Sequence, residues 1–330
     1  SKEDSEMLLE YLRHTRLIDR KTLEYKANRA RGYQDYPGTA MHIGKLSKPY
    51  KLNDLLKFKV GTAYETADHP AVMFQAVGGM DQIAMAMYKS LPRNLVTLNA
   101  EVTTIAQDDD GVDVTYINTK SGKHKTVRAD YCISAIPFPV LTKINHDFSP
   151  EVIDALKAPT SAPAFKLGLQ LSRRFWEQEE MIYGGTSVTD IPGHGVTSYP
   201  SSDLHSNKGG VLLSSYVYYG AAVKNSNLTV AQRNEFALSI GEKLHPGKFR
   251  KYYTGNAISM AWHRQKYNMC GWLDWSSRNH RRKLPILLKG EKRVLFTGNG
   301  ISPSLPGWMA GAIEGAWYTM ADLDKRVAKG

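Results

Sequence analysis

One cation interrupts an apolar run in this chain, Lys166 in "AFKLGL". An ammonium is costly to bury without a partner, and desolvation makes its proton easier to lose. Such a lysine is paired, turned outward or used chemically. Strand alternation puts Phe165, Leu167 and Leu169 on one face and Lys166, Gly168 and Gln170 on the other, so an outward lysine also fits the spacing. The second stretch with chemical content is "VLFTGNGISPSLPGWMAGAIEGAW", residues 294–317. A β-rich run breaks into a loop holding Gly298, Gly300, Gly307, Pro303 and Pro306, puts Trp308 at the bend, and resumes as a helix with Ala312, Gly315 and Ala316 close together. Glycine lets backbone approach a ligand and adopt φ > 0, and a helix N-terminus offers unpaired N–H groups and a positive dipole end. A non-protein group lying against the bend accounts for this; so does a tight strand-to-helix turn. Tyr216 and Tyr218 alternate on one strand face in "LLSSYVYYG", and Trp262, Trp272 and Trp275 add aromatic surface.

These residues need elements to position them. Residues 5–30 have helix formers with apolar residues three to four apart, which predicts one helix or two, broken by "ARGYQDYPG". "LNDLLKF" predicts a short helix, and "AVMFQAVGGMDQIAMAMYKSL" a strand-like run that passes Gly78-Gly79 into a helix with Asp81 in its first turn. From there the period becomes two. "VTLNAEVTTIAQ" and "VDVTYIN" flank the turn Asp108-Asp109-Asp110-Gly111, "KSGK" turns again, and a buried strand over Tyr131–Ile136 stops at Pro137. "SPEVIDALKA" reads as a helix, "AFKLGLQLSRRFW", "GVLLSSYVYYG" and "NAISMAWHR" as strands, and 229–244 as a helix opened by a Thr229–Gln232 capping box. The fold class expected is α+β, its domains interleaved because no long linker is present.

With 330 residues the chain can bury a full core. Lys and Arg exceed Asp and Glu by 43 − 32 = +11, but the charge is spread. The one dense cluster, "RNHRRK" at 278–283, lacks interleaved aromatics and reads as a solvated basic face instead of a nucleic-acid surface. The excess also suits an anionic cofactor. No apolar run approaches the ~20 residues of a membrane helix. Two cysteines, Cys132 and Cys270, offer neither metal spacing nor a disulfide framework, which makes a reducing cytoplasm the expected compartment. A Gly-rich dinucleotide fingerprint, a P-loop, zinc spacing and a serine nucleophile elbow are all absent from the sequence.

The segments "MFQAVGGMDQIAMAM", "LNAEVTTI", "ADYCISAIPFPVL", "FKLGLQLSRRFW", the tryptophan at 262 and "FTGNGISPSLPGWMAGAIEGA" occur in the order seen in the flavin amine oxidase superfamily. The chain most resembles bacterial L-amino-acid oxidases and tryptophan-monooxygenase-like enzymes, from about residue 20 to 325. The resemblance implies part of a two-domain FAD-linked oxidase fold, an FAD-binding α/β portion interleaved with a mixed-sheet substrate domain and a helical segment. The division expected is 1–60 helical, 61–142 FAD-binding, 143–288 substrate-binding and 289–330 the C-terminal FAD-binding strand, loop and helix. It further implies that Val102 holds adenine through its backbone, that Ala135, Ile136, Gly298, Asn299, Gly307, Trp308 and Met309 lie against FAD, and that Lys166 holds a water at the flavin. Tyr216, Trp262, Gly307 and Trp308 would line the substrate. Asn299 departs from the glutamate that many members carry after the glycine.

The reaction implied is FAD-dependent oxidation of an L-amino acid by O2 to a 2-oxo acid, ammonia and hydrogen peroxide. Alternatives are an amino-acid monooxygenase, an amine or polyamine oxidase, and a non-catalytic interaction module. The sequence reads as the C-terminal two-thirds of such an oxidase, whose partner would be an N-terminal polypeptide bearing the dinucleotide-binding motif. A homo-oligomer is expected, without nucleic-acid or membrane binding, and secretion would follow if the N-terminal part carried a signal.

Overall fold

The computed structural model describes residues 1–14, 18–25, 48–57 and 74–328. The break expected at 30–38 and the first residues of the apolar run at 71–73 lie outside them. In chain order the elements begin with α1 (Lys2–His14), β1 (Glu24–Tyr25), β2 (Tyr50–Lys51), α2 (Leu52–Lys57) and α3 (Asp81–Ser90). Next come β3 (Ala100–Gln107), β4 (Val112–Asn118), β5 (His124–Ala129), β6 (Cys132–Ser134), α4 (Phe138–Leu141), β7 (Asn145–His146), α5 (Pro150–Leu156) and β8 (Thr160–Ala162). The middle of the chain holds β9 (Ala164–Leu171), α6 (Phe175–Gln178), β10 (Thr186–Val188), β11 (Val196–Ser198), β12 (Gly210–Tyr218), α7 (Tyr219–Asn227) and α8 (Val230–Leu244). It closes with α9 (Phe249–Tyr252), β13 (Tyr253–Ala261), a 3-10 turn at Trp262–Arg264, β14 (Trp272–Asp274), α10 (Ser277–Lys289), β15 (Val294–Phe296) and α11 (Met309–Val327).

The chain divides into two compact units. The first comprises Ser1–Met73, Leu167–Ser215 and Asn234–Ile258. Most residues of the five-stranded sheet, order β10-β11-β12-β9-β13, belong to it. Helix α8 opens with the expected capping box: Thr229 N donates to Gln232 Oε1 (2.9 Å) and Gln232 N to Thr229 Oγ1 (3.2 Å). Gly241 is required on that helix because a Cβ there would stand 2.0 Å from the Phe249 ring. Phe175 sits among Trp176, His245, Phe249 and Tyr252 at ring separations of 5.5, 5.2, 5.8 and 5.9 Å.

The second unit comprises Phe74–Lys166, Tyr216–Arg233 and Ser259–Gly330. A four-stranded sheet, β5-β4-β3-β7, is built on the predicted meander. The Asp108 carboxylate caps its first turn by accepting from Asp110 N and Gly111 N at 2.8 Å, and Arg128 holds that carboxyl well below the usual range. A bulge between Val102 and Thr104 breaks the β3–β4 register, which bends the strand at Val102. Strands β6 and β15 pair in parallel, Cys132 with Val294 through Ser134 with Phe296. Ile105, Phe138, Leu141, Phe148, Leu273, Leu287, Phe296 and Ile301 belong to the core that supports them.

Three expectations are corrected. Within the expected helical stretch, residues 18–23 are not helical and Glu24–Tyr25 is a strand paired with Tyr50–Lys51; helical spacing was outweighed by the Asp19 side chain, which accepts from Lys21 N and Thr22 N and turns the chain. The strand expected over Tyr131–Ile136 is Cys132–Ser134 and only half-buried at its first two residues. Residues 74–76 are not a strand.

Candidate active site

Two cavities adjoin in the second unit. The larger, ≈ 440 Å³, lies between β3, the end of β6 and the loop before β14, and is lined by Glu101, Val102, Ala135, Ile136, Lys266 and Tyr267 among others. The smaller, ≈ 90 Å³, shares Ala135, Ile136 and Pro137 with it and reaches Cys270, Gly271 and the loop Thr297–Gly300. Val102, the last residue paired before the register shift, lines the larger cavity. At the mouth, Glu101 accepts from Lys266 Nζ at 2.6 Å and from the Tyr267 hydroxyl at 3.0 Å, and the Lys266 bond holds its carboxyl below the usual range.

Two buried hydroxyls, Ser134 Oγ and Thr297 Oγ1, have no hydrogen-bond partner among the described residues. They follow one another across the C-terminal ends of the parallel pair, where Thr297 N donates to Ser134 O (2.9 Å). An unsatisfied buried hydroxyl costs ~1–3 kcal/mol. The C-terminal ends of parallel strands are where open α/β sheets take ligands. Beyond Thr297, Gly298 has φ +113 and open space where a Cβ would point. Cys132 and Cys270 are kept as thiols by burial, Cys270 pushed up to about 11, so neither is a nucleophile here.

The loop after β15 is held on several sides. Asn299 O accepts from Gly307 N (3.3 Å), Gly300 O from Trp275 Nε1 (3.0 Å), and the Glu314 carboxylate from the hydroxyls of Ser302 and, at 2.7 Å, Ser304. The small residues of α11 serve this loop: a Cβ on Gly311 would stand 2.0 Å from Leu305 O, and one on Gly315 2.9 Å from Gly298 O. Part of the small-residue pattern therefore accommodates the chain's own backbone. The remainder leaves Trp308 and Met309, at the start of α11, exposed at 41% and 47%.

A ladder of side chains runs from Lys166 to the same loop. Lys166 is half-buried, between Phe165 and Leu167 at 1% exposure each, and its Nζ stands over the Tyr216 ring at 4.5 Å. Among the described residues no carboxylate pairs with it. Tyr216 packs edge-on against Tyr218 (4.6 Å), and Tyr218 against Trp272 (5.0 Å). Gly307 closes the row, since its Cβ would lie 3.3 Å from Trp272 Cβ. Burial, then the Tyr216 hydroxyl beside it, pushes the Tyr218 phenol far above its ordinary value, so the Tyr218 hydroxyl keeps its proton. Trp272 Nε1 donates to Asp274 Oδ1 (2.6 Å), and the Tyr219 hydroxyl to Asp274 Oδ2.

The structure thus brings Val102, Ala135 and Ile136 around one cavity, joins Ala135, Ile136, Gly298 and Asn299 around the next, and links Lys166, Tyr216 and Gly307 through Tyr218 and Trp272. Trp262 lies half-buried in its 3-10 turn, and among the described residues no ring contact joins it to the ladder. Sequence reasoning missed Ser134, Thr297, Asp274 and the Glu101–Lys266 clasp. Hydroxyls and surface charges of these types carry no periodic signal; Trp272 two residues before Asp274 was the available clue.

Residues 39–322 match the family described as flavin containing amine oxidoreductase. The chain is 26% identical over 250 residues to the putative L-amino-acid oxidase YobN of Bacillus subtilis, covering 74% of this chain and 51% of that protein. It is 28% identical to the L-amino-acid oxidase of Neurospora crassa, covering 77% and 38%, and 28% identical to the flavin-dependent L-tryptophan oxidase RebO of Lentzea aerocolonigenes, covering 72% and 50%. Among solved structures it resembles putrescine oxidase bound to putrescine (TM-score 0.64, 18% identity, 75% of this chain and 53% of that one). It also resembles cyclohexylamine oxidase from Brevibacterium oxydans (TM-score 0.62, 15% identity, 76% and 53%). The chain spans about half the length of most of these relatives.

Proposed function

The chain belongs to the flavin containing amine oxidoreductase family, and from that premise we propose that it takes part in oxidising an L-amino acid with bound FAD. The observation that carries the reading is the half-buried Lys166, unpaired by any carboxylate among the described residues and seated on Tyr216 at the head of an aromatic row that ends on Gly307. Relatives named as L-amino-acid oxidases support the substrate class.

The residues present fit a flavin. Val102, Ala135 and Ile136 offer backbone and apolar surface to its adenosine end. Ser134 Oγ and Thr297 Oγ1 would offer two hydroxyls to its polar chain, with Gly298 and Asn299 beside them, and Gly307, Trp308 and Met309 would meet its ring system. When bound, flavin would supply the two-electron redox chemistry, by which an L-amino acid, O2 and water would give a 2-oxo acid, ammonia and hydrogen peroxide. The N–H groups opening α11 favour negative charge at the group they face. Lys166 Nζ, with three donors, holds water or a proton at the reacting centre. Tyr216, Trp262 and Trp308 exclude bulk water and orient the substrate, and the Gly307 carbonyl accepts from its amino group. Segments 61–142 and 289–330 then carry the cofactor, and 143–288 the substrate. Because the chain spans about half of its relatives, a polypeptide with a Gly-rich strand-turn-helix completes the holoenzyme.

Lys166→Met tests the role directly: stopped-flow half-reactions of the holoenzyme should slow about a hundredfold in flavin reduction or reoxidation. Unchanged rates in both would remove Lys166 from the mechanism.

A further inference from the structure

A third cavity, ≈ 370 Å³, lies between the end of β14, the first turns of α10 and Pro306 of the loop. Leu273, Trp275 and Pro306 give it apolar walls; Asp274, His280 and Arg281 give it charge and polarity. The Asp274 carboxyl accepts from two neutral donors, Trp272 Nε1 and the Tyr219 hydroxyl, and from no cation among the described residues. Its negative charge is felt by Tyr219, whose phenol is raised chiefly by the bond to Asp274. Arg281 is exposed at the rim. Its neighbour Lys283 pairs with Asp154, but among the described residues neither Asp274 nor Arg281 takes part in an ion pair. A single cavity therefore presents an anion and a guanidinium that do not satisfy each other.

We propose that this cavity is a binding site for a free α-amino acid as its zwitterion, with Asp274 receiving the ammonium, Arg281 the carboxylate, and Trp275, Leu273 and Pro306 the side chain. The match is chemical: an α-amino acid carries both charges on one carbon, and a guanidinium takes a carboxylate through two parallel bonds. A simple amine satisfies Asp274 and leaves Arg281 without an anion, so the site selects amino acids over amines. It sits at the Trp272 end of the ladder, next to Gly307 in the loop, where it holds substrate ahead of oxidation. The choice of amino acid as ligand rests on the function proposed above; the unsatisfied charges do not.

Isothermal titration of the purified protein with L-phenylalanine, phenethylamine and 3-phenylpropionate tests it. Phenylalanine should bind at least about tenfold more tightly than either single-charge analogue. Asp274→Asn and Arg281→Gln should each weaken phenylalanine about tenfold, while Asp274→Asn leaves 3-phenylpropionate unchanged and Arg281→Gln leaves phenethylamine unchanged. Equal affinity for all three ligands, or variants indistinguishable from wild type with their circular dichroism intact, overturns the proposal. Lys166→Met should retain phenylalanine binding. In the assembled, FAD-loaded holoenzyme, binding without any oxidation would sink the oxidase reading and leave this site standing; oxidation with no charge-dependent binding would do the reverse.

Discussion

At Lys166 a cation lies over an aromatic face, an attraction worth about 0.5–2 kcal/mol depending on desolvation. That contact fixes the ammonium without neutralising it, which a carboxylate would do. The ring matters in this arrangement and its hydroxyl much less. Tyr216→Phe should therefore retain most of kcat/KM for the amino acid, while Tyr216→Leu should lower it about tenfold by releasing Lys166, a loss of ~1.4 kcal/mol. Steady-state rates of the two variants decide it, and equal rates would detach Tyr216 from the lysine. The alternation of Phe165 and Leu167 against Lys166 was legible in the sequence and is seen in the burial pattern. That the lysine's face is roofed by Tyr216 was not, because the partner comes from a strand about fifty residues away.

Loop 297–308 and α11 form an element whose glycines have different jobs. Gly311 and Gly315 meet carbonyl oxygens of the preceding loop, whereas Gly298 has φ +113 and empty space around it. Gly311→Ala must push backbone apart and should destabilise by more than ~2 kcal/mol. Gly298→Ala meets nothing and should cost ~1–3 kcal/mol through its backbone conformation alone. Denaturant midpoints distinguish them, and a tolerated Gly311→Ala would contradict the close packing. Glycine-rich spacing announced this loop in advance, as did the meander β3–β4–β5 and the capping box of α8, since each depends on residues adjacent in sequence. What the sequence hid depends on distant ones: the pairing of Glu24–Tyr25 with Tyr50–Lys51, the parallel register of β6 and β15, and the orphaned hydroxyls of Ser134, at the end of β6, and Thr297, just past β15.

Over the whole molecule, the excess of +11 charges suits an anionic cofactor, and among the described residues no helix is long and apolar enough to cross a membrane. Acid sensitivity has an identifiable source in His194, fully buried with its ring nitrogens bonded to Thr189 (2.7 Å) and Thr197 (2.8 Å). Burial lowers its pKa. Between that lowered value and the unfolded value of about 6.5, the unfolded chain binds a proton that the folded one refuses, so stability is lost as pH falls through this window. Urea midpoints should drop below pH about 6.5, and His194→Gln should flatten that drop; an unchanged slope would assign it elsewhere. The central claim is that the adjoining cavities meeting at Ala135 hold FAD. Equilibrium titration of the assembled holoenzyme, stripped of flavin, with FAD, beside an Ala135→Trp variant that puts a ring where the two cavities meet, measures this. Saturable binding to wild type and its loss in a folded variant is the result predicted. No binding to wild type, or equal binding to both, would contradict it.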